Sequence, residues 1–304
     1  MKGYGTMKWP GGDYYFGDWV AGNRIGQGIY EWFDGVKYDG EWIGDEMTGK
    51  GVFTWPTGER YEGQFLNGIR HGQGTYHVPD GEKYIGGWVN GKRTGSGVLF
   101  FSDGSIYMGD WVNNVASGKG ISISSSGNKY EGQWSNWKKH GNGTYYFFNG
   151  DVYVGEWFNN SRTGKGAITR ASGGKYIGDW INNNITGQGI EISPGGHKYE
   201  GQFIDANKHG KGKFTFPNGN KYVGDWVNGV RTGQGAFTWR NGDQYEGQFE
   251  DGKMSGMGRM KYSNGTIKKG TWINGAFLVG WKNAKTKQDL KGKKVGKNIS
   301  KIKF

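Results

Sequence analysis

Polar and apolar residues alternate along this chain in short runs, and the runs recur. In Tyr222-Val223-Gly224-Asp225-Trp226-Val227 a period of two sends Tyr222, Gly224 and Trp226 to one face and their neighbours to the other. The polar stretch from Asn228 to Gly233 is expected to turn the chain. A second short strand, Ala236-Phe237-Thr238-Trp239, follows Gly235, and Asn241-Gly242 makes the next turn. The same phrase starts at Tyr15, Tyr38, Tyr61, Tyr84, Tyr107, Tyr130, Tyr153, Tyr176, Tyr199, Tyr222 and Tyr245, always 23 residues apart, with Lys268 in the twelfth place. Counted from these reference residues, Gly stands at +2 and Trp or Phe at +4 in all twelve units, and Gly at +11 and +13 in the first eleven. Gly3, Gly5, Trp9 and Gly12 fall in the same phase, as a leading half unit over residues 1–14.

Regular glycines make helix a poor alternative, since each would cost about 1 kcal/mol in a helix interior. A lone hairpin is marginal, but hairpins in series let the rings of adjacent units bury one another. The core is therefore expected to be an aromatic stripe through residues such as Tyr15, Trp19, Tyr38, Trp42, Tyr130, Trp134, Tyr222 and Trp226. Glycines at +7 and +20 suit positive φ in turns, and the one at +2 leaves room beside a neighbouring ring. The expected fold is all-β, an elongated, single-layer, twisted array of antiparallel β-hairpins over residues 1–281, with a Lys-rich and flexible tail over 282–304.

Units such as YVGDWVNGVRTGQGAFTWRNGDQ, residues 222 to 244, resemble the MORN repeat (membrane occupation and recognition nexus) in their YxGxW and later GxG. The resemblance covers nearly the whole chain. It implies arrays of antiparallel hairpins that act in scaffolding, membrane-associated or cytoskeletal complexes, cilia among them. Some relatives join the array to a lipid kinase or methyltransferase domain, and nothing here is long enough to be either. Unit twelve departs from the pattern, with Lys268 for Tyr and Val279 for Gly at +11, which suits a cap on an open sheet edge. The half unit leaves the other end less protected, so homodimers through end-to-end or edge pairing are expected.

A longer period of three units lies beneath the first. At +9 and +10 one class has Arg24-Ile25, Arg93-Thr94, Arg162-Thr163 and Arg231-Thr232; another has Met47-Thr48, Ala116-Ser117, Ile185-Thr186 and Met254-Ser255; the third has Arg70-His71, Lys139-His140 and Lys208-His209. This is either the relic of a duplicated 69-residue block or a row of equivalent contacts spaced by six strands. Units five and eight also depart: Ser122 and Ser124, and Glu191 and Ser193, replace the large residues at +15 and +17, with isoleucines one place earlier. A shift of one moves an apolar pair across the sheet. Two readings follow, a local bulge or an apolar patch on the opposite face that pairs with another molecule.

Composition narrows the chemistry. The 304 residues hold no cysteine, which excludes disulfides, thiolate metal sites and a thiol nucleophile. No window reaches a membrane span and the N-terminal stretch lacks the apolar core of a signal peptide, so a cytoplasmic protein is expected. Of the net charge of +12, residues 282–304 carry +8 through nine lysines and Asp289, leaving the body nearly balanced. Acids at +3, such as Asp18 and Glu41, alternate with Gln64 and Gln133, so they read as structural rather than catalytic. The GxG pairs lack the strand-to-helix setting of a phosphate loop. His71, His140 and His209 stand in equivalent turns too far apart to share a metal. No catalytic residue, cofactor or metal is expected, and no nucleic acid, because the aromatics belong to the stripe. The candidates for contact with acidic protein partners or anionic phospholipid are seven basic turns, Arg24, Arg70, Arg93, Lys139, Arg162, Lys208 and Arg231, and the tail lysines Lys291, Lys293, Lys294 and Lys297. Trp137 joins them, a large ring at +7 where other units have Gly, Asn, Asp or Ala. The leading expectation is a non-catalytic scaffold that docks protein partners in its groove or along its edges. The alternatives are a peripheral phosphoinositide binder and an accessory subunit positioning a separate enzyme.

Overall fold

Every unit closes on a two-residue turn in which both residues have positive φ, as at Ala21 (φ 50°) and Gly22 (φ 89°). Such a turn carries the twist that flanking strands need, and Asn, which tolerates this region, fills its first place in most units. The computed structural model describes residues 2–280. These form twenty-five strands and no helix among the described residues, in two compact units, residues 1–187 and 188 onward. Within each compact unit successive strands pair antiparallel, giving an all-β array of hairpins. The first strand of a hairpin has seven residues, as in Tyr14–Val20, and the second has nine, as in Asn23–Glu31.

The six-residue turn expected at Asn228 to Gly233 is thus only Asn228-Gly229, and Arg231 and Thr232 lie inside the strand Val230–Thr238. A bulge makes the difference. Gly17 pairs with Gly28 but the next rung joins Asp18 to Ile25, so two residues, Gly26 and Gln27, have no opposite number across the hairpin. Gly26, at φ 60°, absorbs the bend. The bulge frees the N–H of the following residue, which the +3 side chain accepts: Gln27 donates to Asp18 Oδ2 at 3.2 Å, Lys50 to Glu41 Oε1 at 2.9 Å, and Gln73 to Gln64 Oε1 at 2.8 Å. Only an acceptor is needed, so Asp, Glu and Gln interchange.

The reference tyrosines lie over the glycines of their own hairpin, so the +2 glycine makes room for its own unit's ring. A Cβ on Gly28 would come within 2.6 Å of the Tyr15 ring, and one on Gly17 would meet the Tyr15 hydroxyl at 2.5 Å. The hydroxyl then donates to the +3 carbonyl, as Tyr38 does to Glu41 O at 3.0 Å, so the buried phenol leaves no polar atom unpaired. A reference Tyr also meets +4 rings edge-on in its own and the next unit: Tyr15 packs on Trp19 at 5.0 Å and Trp42 at 5.5 Å, and Tyr222 on Trp226 at 5.3 Å and Phe249 at 4.9 Å. Edge-to-face pairs add about 0.5–1.5 kcal/mol each beyond burial. Indole N–H groups reach the +13 carbonyl of the preceding unit, Trp42 to Gly28 O at 3.0 Å and Trp226 to Gly212 O at 3.3 Å.

Unit five keeps the common register, with Tyr107 opposite Ser122 and Gly109 opposite Gly120. The bulge is therefore no local answer to Ser122; it is present in its neighbours too. Ile121 and Ile123 lie on the outer face, where Met108 and Ile121 line a depression of about 510 Å³. In unit twelve Val279 cannot take the bend that glycine takes, and the bulge shrinks to one residue: Gly270 pairs with Gly280, Thr271 with Val279 and Trp272 with Phe277. Lys268 is exposed where the tyrosines are buried.

Candidate partner-binding face

The +9 residue is the second residue of its strand and projects onto the aromatic ladder, so the seven basic positions are not turn residues. The Arg24 guanidinium carbon lies 4.4 Å from the Trp42 ring and 5.0 Å from Tyr30; that of Arg70 lies 4.5 Å from Trp88; that of Arg93 lies 4.9 Å from Trp111; that of Arg162 lies 4.6 Å from Trp180. Lys139 Nζ sits among Tyr130, Tyr145 and Trp157 at 5.1–5.7 Å. Lys208 lies over Tyr199 and pairs with Glu191. Arg231 lies 5.5 Å from Tyr222. Flat guanidinium groups suit this slot because they stack on ring faces while keeping their edges for hydrogen bonds. Burial lowers the pKa of Arg70, Arg93, Lys139, Arg162 and Arg231, and it raises the Tyr15 and Tyr222 phenols to about 12.

A side chain from the next unit's turn completes most slots. Arg24 donates from its backbone N and its Nε to Asp45 Oδ1, both at 2.9 Å, and from Nη2 to Asp45 O at 3.1 Å. Arg162 repeats the arrangement on Asn183, with its backbone N at 2.9 Å and Nη2 to the carbonyl at 3.2 Å. The backbone N of Arg93 donates to Asn114 Oδ1 at 2.8 Å, and that of Lys139 to Asn160 Oδ1 at 2.8 Å. The hydrogen bond from Arg24 holds the Asp45 carboxyl below the usual aspartate range. These acceptors at +7 escaped the sequence reading. Their signal was an Asp or Asn 21 residues after the basic residue, too long a step to link two side chains without the pairing of units.

Trp137 fills its slot differently. It stands at φ 62°, and its N–H donates to Ala116 O at 3.1 Å. Its ring lies 5.0 Å from Trp111, 5.4 Å from Tyr107 and 6.1 Å from Phe101. Ala116, fully buried, is the smallest +9 residue, and the ring covers the space that a longer side chain would fill. The tryptophan expected to project is partly packed, at 36% exposed. His140 and His209 are strand residues on the outer face, His140 against Phe158 at 5.2 Å. Lys291, Lys293, Lys294 and Lys297 lie outside the described residues.

The aromatic face is not closed. Beyond the buried ladder, the +17 residues Trp32, Trp55, Phe101, Phe216 and Trp239 are half-buried. In the compact unit from residue 188, Phe216, Phe237, Trp239, Phe249 and Met254 wall a cavity of about 320 Å³ that Arg231 borders.

The MORN repeat family matches twelve consecutive segments, residues 1–14, then 15–37 and every 23 residues through 245–267. No curated protein matches the chain. Among solved structures, the SAS-4 (dCPAP) TCP domain of Drosophila melanogaster, in complex with a proline-rich motif of Ana2 (dSTIL), is similar at 15% identity. The likeness spans 58% of this chain and 90% of that one, with a TM-score of 0.35. The wild-type TCP10 domain of Danio rerio CPAP, in complex with a peptide of Danio rerio STIL, is similar at 12% identity over 82% of this chain and 98% of that one, with a TM-score of 0.28.

Proposed function

Because this chain belongs to the MORN repeat family, we propose that it is a non-catalytic scaffold whose aromatic face receives extended segments of partner proteins. The observation that carries this reading is the half-buried +17 row, with Trp32, Trp55 and Trp239 lying beside a ladder that already has its own hydrogen bonds. Rings with one face packed and one face open offer large contact area at small entropic cost, which is what binding hot spots need. The basic +9 residues fit a protein partner better than a membrane, because they lie on the rings instead of reaching outward as a headgroup contact requires. Such a scaffold suits cytoskeletal or membrane-associated complexes, and the strand Lys2–Lys8, with Tyr4 and Met7 exposed, offers an edge for pairing with a second copy.

The test is selection of random twelve-residue peptides on the full chain. Binders should be lost in a Trp55→Ser, Trp239→Ser double variant whose thermal unfolding matches the parent. Selected peptides indifferent to both substitutions would overturn the reading.

A further inference from the structure

Four units of the first class place an arginine at +9, and they differ at the residue that faces it from the next turn. Arg24 meets Asp45, Arg93 meets Asn114, Arg162 meets Asn183, and Arg231 meets Gly252. In the first and third of these the one side chain accepts from both the arginine's backbone N–H and its Nε. Gly252 makes the usual backbone contact, donating its N–H to Arg231 O at 3.0 Å, but has no side chain to return. Neither the backbone N–H nor the guanidinium of Arg231 has a side-chain acceptor among the described residues. Arg70 also faces a glycine, yet its Nη2 reaches Gly91 O at 3.4 Å and the charge of Glu59 acts on it.

The cavity of about 320 Å³ opens at this place, bordered by Arg231 and Gly252 and walled by Phe216, Phe237, Trp239 and Met254. The guanidinium carbon is 5.7 Å from the Phe237 ring and 6.0 Å from Phe216, so the cation is partly desolvated against apolar walls, with no carboxylate paired to it among the described residues. An unpaired, part-buried cation favours an incoming opposite charge far more than an exposed one does.

We infer that this cavity binds the carboxylate of an Asp or Glu side chain flanked by apolar residues in an extended partner segment. The Arg24–Asp45 contact is the internal pattern for it: the ligand's oxygen takes the place relative to Arg231 that Asp45 Oδ1 takes relative to Arg24, while the flanking side chains lie against Phe216 and Trp239. This rests on the aromatic face being a peptide-docking surface and adds which chemistry one part of it selects.

The full chain is titrated with acetyl-Phe-Asp-Phe-amide and acetyl-Phe-Asn-Phe-amide, and affinities are read by ligand-detected NMR. The Asp peptide should bind about tenfold more tightly, as a charge-assisted contact predicts. Arg231→Gln should bring it to the level of the Asn peptide. Gly252→Asp should do the same while leaving the fold intact, because Asp45 already holds φ 72° where Gly252 holds 76°. Equal affinity of the two peptides in the parent chain, with both lost in Trp239→Ser, would overturn the carboxylate inference and leave the docking surface standing. Binding of neither peptide would overturn both. Binding to phosphatidylserine vesicles that needs Arg231 and that the Asp peptide does not displace would assign the cavity to a lipid headgroup and so overturn the inference as well.

Discussion

The slot of Arg24 and the slot of Ala116 share one ladder and are filled by opposite means. In the first, Arg24 crosses the rings and is locked by Asp45 from the next turn. In the second the +9 residue is only Ala116, one unit beyond Arg93, which lies over Trp111 as Arg24 lies over Trp42. Trp137, from the turn after it, swings its ring onto Trp111 and Tyr107. The repeat thus fixes that the slot be covered and not what covers it. A cation with a capping acceptor and a bare ring from the turn are equivalent solutions, because ring faces accept either.

The sharpest way to break both slots together is to remove the floor they share. Gly28→Ala and Gly120→Ala each put a methyl into the ring of Tyr15 or Tyr107, within 2.6 to 2.8 Å, and each should cost about 3 kcal/mol in chemical denaturation, as overpacking of a rigid site does. Trp137→Ala should separate the two slots. It uncovers Trp111 and should cost about 2 kcal/mol, less than a fully buried tryptophan because the ring is 36% exposed and sits on a turn that disfavours it. The double variant Ala116→Arg, Trp137→Asn rebuilds the second slot in the form of the first, and by melting temperature it should recover most of that loss. Asp45→Ala should weaken the first slot by about 1 kcal/mol, the usual worth of one hydrogen-bonded cap, and Asp45→Asn by less, since Arg162 is served by Asn183.

The smallest effect is on pH dependence. The Asp45 carboxyl is held below its ordinary value of 3.8 in the folded chain, so the unfolded chain binds the proton first. Its contribution to stability is complete above that value and is lost as the pH falls through the lower folded value. The acid limb of the stability profile below pH 3.8 should be shallower in Asp45→Asn than in the parent, while the profiles above pH 5 run parallel.

Much of this was legible in the residues because a hairpin is a local structure. Tyr15, Gly17 and Trp19 on one face follow from a period of two, and the ladder follows from repeating it. What the residues hid was the bulge. Gly26 and Gly28 look alike in the sequence, but one bends the strand at φ 60° and the other lies beneath a ring, so the sequence suggests a turn four residues too long, with Arg231 inside it. Ser122 misled in the same way, suggesting a displaced register where the register is common to its neighbours. The site was less legible than the fold. Arg231 and Gly252 each look ordinary, and their meaning arises only when neighbouring units lie side by side.

The amino-acid sequence by itself determined the number and phase of the units, the alternation that buries tyrosine and tryptophan, and the class of fold, since all of these rest on a pattern complete within 23 residues. Only the tertiary structure decided which partner each +9 residue has. That contact joins residues 21 apart from adjoining hairpins, and its energy depends on burial and donor geometry that no single unit contains. Asp45, Asn183, Trp137 and Gly252 hold one position in one repeat. The packed sheet makes them an anion, an amide, a ring and an opening.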